Sequence, residues 1–161
     1  MPQPFFVLAT QNPIEQDGTY ALPEAQLDRF MMKLNVAYPS LQYEKEILKT
    51  IDQDVATEHI LSAKSLIKLQ KEVETIDLTE ELQAYIAQLI VATRSSHPSI
   101  AYGSSPRGSL AVASLAKALA YIEGRKEVAK SDIQKILLPS ASFWWVTLRT
   151  GFTHWQDKDL I

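Results

Sequence analysis

The chain has no cysteine among its 161 residues, which removes disulfides and thiolate metal sites from consideration. Its three histidines, His59, His97 and His154, stand far apart and show no metal-ligand spacing. No apolar run approaches the roughly 18 residues that a membrane span needs, and no charged region leads into an apolar one at the N-terminus. A cytoplasmic location is the default expectation. Charge of one sign is lacking as well: 16 basic residues face 19 acidic ones for a net charge of −3. There is no basic footprint for nucleic acid. The most telling absence is the G-x-x-x-x-G-K-[ST] loop, which occurs nowhere, so nothing here cradles a triphosphate by that route.

What remains is an ordinary globular composition, 46% hydrophobic and 22% charged, with enough apolar residues for a core. Residues 5–10, FFVLAT, form a short continuous apolar run suited to a strand covered on both faces, although a buried helix end has the same pattern. Gln11-Asn12-Pro13 stops it. Gln16-Asp17-Gly18-Thr19 reads as a turn, and Pro23 opens a short helix over residues 24–30. Residues 33–38 alternate polar and apolar as a half-buried strand, closed by Pro39. Beyond Ser40 the apolar period becomes helical. Helices are expected from Ser40, over 62–75, over 79–96, over 107–123 and over 131–138. Asp77 with Glu80 outlines a capping box for the third of these, with Thr79 as a rival cap, and Gly124 is a natural stop for the fourth.

Three residues have side chains suited to nucleotide chemistry. Asn12 follows the first expected strand, at the edge where open α/β sheets bind ligands, and an amide there can orient a water and sense a phosphate. It equally well caps the turn before Pro13. Arg29, after Asp28, is a permanently charged planar donor that can neutralise a transferring phosphoryl group, or simply form a surface ion pair. Arg107 enters a helix behind Pro106, where an Arg opposes the helix dipole by a few tenths of a kcal/mol unless an anion is near. Glu15, Asp17 and Glu24 read as turn and helix-start residues. Trp144, Trp145 and Trp155 crowd towards the C-terminus with Phe143 and Phe152. Stacking on bases is one use for such a cluster, and a partner-facing apolar segment fits it better.

Taken together, FFVLATQNPIEQDGTYALPEAQLDRF and the later GSSPRGSLAVASLAKALAYIEGR resemble the MoxR family of AAA+ ATPases, over about residues 5–138. By that resemblance Asn12 is the sensor-1 residue. Arg29 is the arginine finger, acting on the site of an adjacent subunit, and Arg107 is sensor 2 on the helical lid. The implied organisation is the C-terminal part of an AAA+ α/β core at 1–39, an all-α lid at 40–138 and a divergent aromatic tail at 139–161. The resemblance also implies ATP and Mg²⁺ as cofactors of the intact family and assembly into rings, usually hexamers. It implies a partner with a von Willebrand factor A domain, and chaperone-like remodelling of proteins. No metal ligand is assigned in this chain.

The departures set the functional expectation. The family's phosphate loop and acidic Mg²⁺-binding motif precede the strand seen here, and this sequence has neither. The strand carrying that loop would lie between the two expected here, so both lose their shared neighbour. The family's Thr-Pro-x-Asp helix start reads Ala129-Lys130-Ser131-Asp132, at a cost of about 1 kcal/mol unless Ser131 caps instead. The expectation is a partial AAA+ ATPase unable to hydrolyse ATP alone. Its alternatives are a non-catalytic module that docks on intact AAA+ subunits, or a non-functional truncated gene product.

Overall fold

The computed structural model describes residues 3–10, 23–50, 58–95, 100 and 103–141. Among them are the helices α1 (Glu24–Leu27), α2 (Leu41–Thr50), α3 (Ala63–Glu74), α4 (Glu80–Ala92), α5 (Pro106–Ile122) and α6 (Lys130–Ala141). Asn12, the turn at residues 16–19 and most of the aromatic tail lie outside the described residues.

The helix ends follow from local chemistry. Ser62 caps α3 by accepting the Ser65 N–H at 3.0 Å. Thr79, not Asp77, caps α4, accepting from Leu82 N–H at 3.4 Å. Asp77 is engaged elsewhere: its N–H donates to the Lys126 carbonyl at 2.9 Å and its carbonyl accepts from Val128 N–H at 3.0 Å. That isolated parallel bridge ties the approach to α4 to the approach to α6. Ser105 caps α5, with Pro106 in its first turn. At the other end of α5, Gly124 adopts φ 74°, a left-handed conformation that costs glycine little. Gly124 N–H then reaches Tyr121 O and Arg125 N–H reaches Ala120 O, each at 2.9 Å. This Schellman closure turns the chain sharply and delivers Arg125 towards α6.

Helix α5 is the hub, packing against α3, α4 and α6. Its buried Ala116 and Ala120 let Ile86 and Ile90 of α4 and Ile133 and Leu137 of α6 approach closely, with Val112, Ile76 and Val128 completing the core. Lys117 Nζ donates to the Glu74 carbonyl at 3.2 Å, and Tyr121 Oη donates to Glu72, which pins α3 to the same helix. No helix among the described residues is long and apolar enough to cross a membrane.

The N-terminal part differs from expectation. Residues 5–10 and 33–38 pair into no sheet among the described residues, and Phe6, Leu8, Leu34, Val36 and Tyr38 are exposed. A parallel strand takes its hydrogen bonds from neighbouring strands, so an apolar run without them has no ladder to join. Helix α2 forms where Ser40 predicted it, yet none of its residues is buried. Contacts do cross the expected boundary at Pro39: Lys33 N–H donates to the Pro139 carbonyl at 2.9 Å, in the last turn of α6. The fold is thus a helical bundle with the segment before α2 touching the end of α6.

Candidate functional site

The loop before α5 rests on the end of α4. Thr93, the buried C-cap of α4, donates from Oγ1 to the Ile90 carbonyl at 2.6 Å and accepts from Ser104 N–H at 2.9 Å. Arg94 Nε donates to the Ser104 carbonyl, also at 2.9 Å. Gly103 lies so close to α4 that a Cβ there would stand 2.7 Å from Arg94 Cα. The loop is therefore anchored on α4 by side chains. From it Ser105 Oγ accepts the Arg107 N–H at 3.1 Å, which fixes where Arg107 leaves the helix start.

Arg107 meets a residue 79 positions earlier in the chain. Its Nη1 donates to Asp28 Oδ2 at 2.6 Å. The Arg107 side chain is 59% exposed and that of Asp28 only 16%. The other carboxylate oxygen, Oδ1, is buried and accepts no hydrogen bond among the described residues. Asp28 thus supplies the anion that an Arg in the first turn of a helix calls for, and the dipole conflict read from the sequence is answered within the chain.

Arg29 sits in the turn that follows α1, with its N–H on the Gln26 carbonyl at 3.1 Å, not inside a longer helix as expected. Its side chain is exposed, and no ion pair among the described residues engages it. A cleft of about 180 Å³ joins the two arginines. Asp28, Arg29, Phe30 and Met31 form one wall; Arg107, Leu110, Ala111 and Ser114, along one face of α5, form the other. Two candidates separated widely in sequence therefore share one site. The third, Asn12, lies outside the described residues.

The cleft is lined by two arginines and one aspartate, a formal excess of one positive charge, and planar forks of N–H donors suit phosphate oxygens. Among the described residues no three His, Cys, Asp or Glu side chains converge as a metal site. Sequence reading missed Asp28, because nothing local marks a pairing partner so distant. Leu110 and Ser114 were legible in principle, since they follow Arg107 at helical spacing.

The family model of the ATPase family associated with various cellular activities (AAA) matches residues 1–32, and the AAA lid domain model matches residues 92–142. The chain is 42% identical over 134 residues to the uncharacterized protein YeaC of Bacillus subtilis (strain 168), covering 81% of this chain and 42% of that one. It is 38% identical over 146 residues to the chaperone MoxR1 of Mycobacterium tuberculosis (strain ATCC 25618 / H37Rv), covering 85% and 39%. A crystal structure of a Cytophaga hutchinsonii ATCC 33406 protein described as an ATPase superposes with a TM-score of 0.78 at 35% identity, over 87% of this chain and 46% of that one. The chain spans less than half the length of each of these relatives.

Proposed function

Because the chain belongs to the MoxR family of AAA+ ATPases, we propose that it provides the arginine-bearing side of an ATP site between subunits. Arg29 acts as the finger and Arg107 as sensor 2, and Asn12 as sensor 1. The single observation that supports this most is the cleft that Arg29 and Arg107 both line. A finger acts on the nucleotide of an adjacent subunit. Arg107 lines the same cleft, so the two would address the same terminal phosphate, neutralising charge as it develops.

The phosphates and Mg²⁺ would be held mainly by a phosphate loop and an acidic motif, neither of which this sequence contains. The chain alone is therefore expected not to hydrolyse ATP. Assembly into a ring, usually a hexamer, a von Willebrand factor A domain partner, cytoplasmic location and chaperone-like remodelling belong to the same proposal. They rest on the family and on the chaperone MoxR1. The division into a core part at 1–39, a lid at 40–138 and a tail at 139–161 belongs to it too.

The experiment is a mixing assay. Purified chain is titrated into full-length YeaC and phosphate release is followed. A dose-dependent change in rate that disappears with Arg29→Ala supports the proposal, and marks the chain as a module that docks on intact subunits. No effect at any ratio removes it. Steady ATP turnover by the chain alone, abolished by Arg107→Ala, would overturn the claim that it cannot work unaided.

A further inference from the structure

We propose that Asp28 is a positioning residue, holding the Arg107 guanidinium against the cleft so that it and Arg29 address one anion together. This role rests on the proposed nucleotide function, which itself leaves Asp28 without one. Three observations support it.

The first is the form of the contact. Asp28 uses one carboxylate oxygen and engages one nitrogen of Arg107, at 2.6 Å. A guanidinium has five N–H donors. A single contact fixes where the group stands and leaves most of the fork free for a ligand. A bidentate clamp would consume the edge that phosphate oxygens use.

The second is what Asp28 leaves undone. Its Oδ1 is buried with no donor among the described residues. A buried acceptor without a partner is costly, and a carboxylate kept only for structure would have both oxygens filled. Asp132 in this same chain is that case: Arg125 donates to Oδ1 at 2.7 Å and to Oδ2 at 2.8 Å, and Ala129 N–H donates to Oδ2 at 2.8 Å.

The third is sequence adjacency. Asp28 immediately precedes Arg29, in a turn closed by Arg29 N–H donating to the Gln26 carbonyl at 3.1 Å and Phe30 N–H to the Leu27 carbonyl at 3.0 Å. Any force that seats Asp28 on Arg107 also sets the distance from Arg29 to Arg107. The carboxylate therefore couples the segment bearing one arginine to the helix bearing the other. It also balances Arg107 against the α5 dipole until an anion arrives.

The test uses the whole chain and two readouts. In the first, the side-chain N–H signals of Arg107 are followed by NMR in the chain alone. We expect a resolved signal in the wild type, its collapse to solvent-exposed arginine behaviour in Asp28→Asn, and its recovery in Asp28→Glu. An Arg107 signal unchanged by Asp28→Asn overturns the proposal. In the second, variants are titrated into full-length YeaC and the rate at saturation is separated from the concentration giving half the effect. Asp28→Asn should lower the effect at saturation on the order of tenfold, the size of one charge-assisted hydrogen bond. The double variant Asp28→Asn/Arg107→Ala should be no worse than Arg107→Ala alone, because Asp28 acts through Arg107. Loss with both arginine variants but not with Asp28→Asn would overturn this inference and leave the proposed function standing. Indifference to Arg29→Ala and Arg107→Ala would overturn both.

Discussion

Two aspartate–arginine pairs bracket α5, and they are built to opposite specifications. Beyond its C-terminal end, Arg125 grips Asp132 with two nitrogens, and the carboxylate is fully buried while the arginine side chain is 34% exposed. Arg125 also donates to Glu123 and to the Glu127 carbonyl, and Lys135 braces Glu123 at 3.1 Å. Every oxygen of Asp132 is satisfied. At the N-terminal end, Asp28 and Arg107 share one contact, the arginine is mostly in solvent and one oxygen has no partner among the described residues. The difference separates a staple from a poised site: the first spends its donors on the fold, and the second keeps them for something else.

The largest expected effect tests the staple. Asp132→Ala removes two charge-assisted hydrogen bonds and the acceptor for the Ala129 N–H at the start of α6. A loss of about 3 kcal/mol in unfolding free energy follows, measured by denaturant titration. The same pair predicts an acid response. Burial pushes the Asp132 carboxyl up, but the Arg125 bonds, the Ala129 N–H and nearby positive charge together hold it below its ordinary value. A carboxyl depressed in the folded state contributes stability that is complete above about pH 4 and fades as pH falls through the lower folded value. Denaturation midpoints between about pH 5 and 2 should fall less steeply in Asp132→Asn than in the wild type. Equal slopes would mean that the staple carries no proton linkage.

A somewhat smaller effect is expected where the loop before Arg107 rests on α4. Gly103→Ala would set a Cβ at 2.7 Å from Arg94 Cα and 3.0 Å from the Thr93 carbonyl, so backbone must move. About 2 kcal/mol is the expected cost. Gly108→Ala meets chiefly Ser104 Oγ, at 2.1 Å, a side-chain end that can rotate away. It should cost less than Gly103→Ala in the same thermal melt; the reverse order would mean that the loop is not seated on α4.

A gain is expected at Ala129. The helix starts at Lys130 and Ser131 lies inside it, so Ser131 does not take over as cap. Asp132 supplies half of a capping box, and Ala129 lacks the side-chain oxygen for the other half. Ala129→Thr should add about 1 kcal/mol. A neutral result would show that the staple already saturates that helix start.

Helix ends and the Gly124 stop were legible in the sequence because their signals are local: a hydroxyl before an apolar period, a glycine after one. The strands were not, because a strand is defined by its neighbours, and residues 5–10 and 33–38 have none among the described residues. The helix expected over 107–123 forms as α5, and its Ala116 and Ala120 lie in the core. Of the candidate site, the motif resemblance singled out the two arginines, but that both line one cleft was not readable from it. Asp28 was visible only as the neighbour of Arg29, and its bond to Arg107 spans 79 residues. No periodicity encodes such a contact.

The smallest expected effect on stability is at Asp28, and it decides the comparison. Asp28→Asn keeps the shape of the side chain while removing the charge that holds Arg107. The arginine is 59% exposed, so solvent screens the pair and little Coulomb energy is lost. The amide nitrogen would meet a buried position where the carboxylate already had no partner among the described residues, so one unmet group replaces another. Folding stability should therefore change by no more than about 1 kcal/mol, roughly 3 °C in a melt of a chain this size. A loss as large as that of Asp132→Ala would make the two pairs alike, two staples at two ends of one helix, and the freedom of the Arg107 donors would lose its meaning. A small loss of stability together with a weakened effect on an intact ATPase would separate them. Fold and function would then draw on different aspartates, with α5 carrying both.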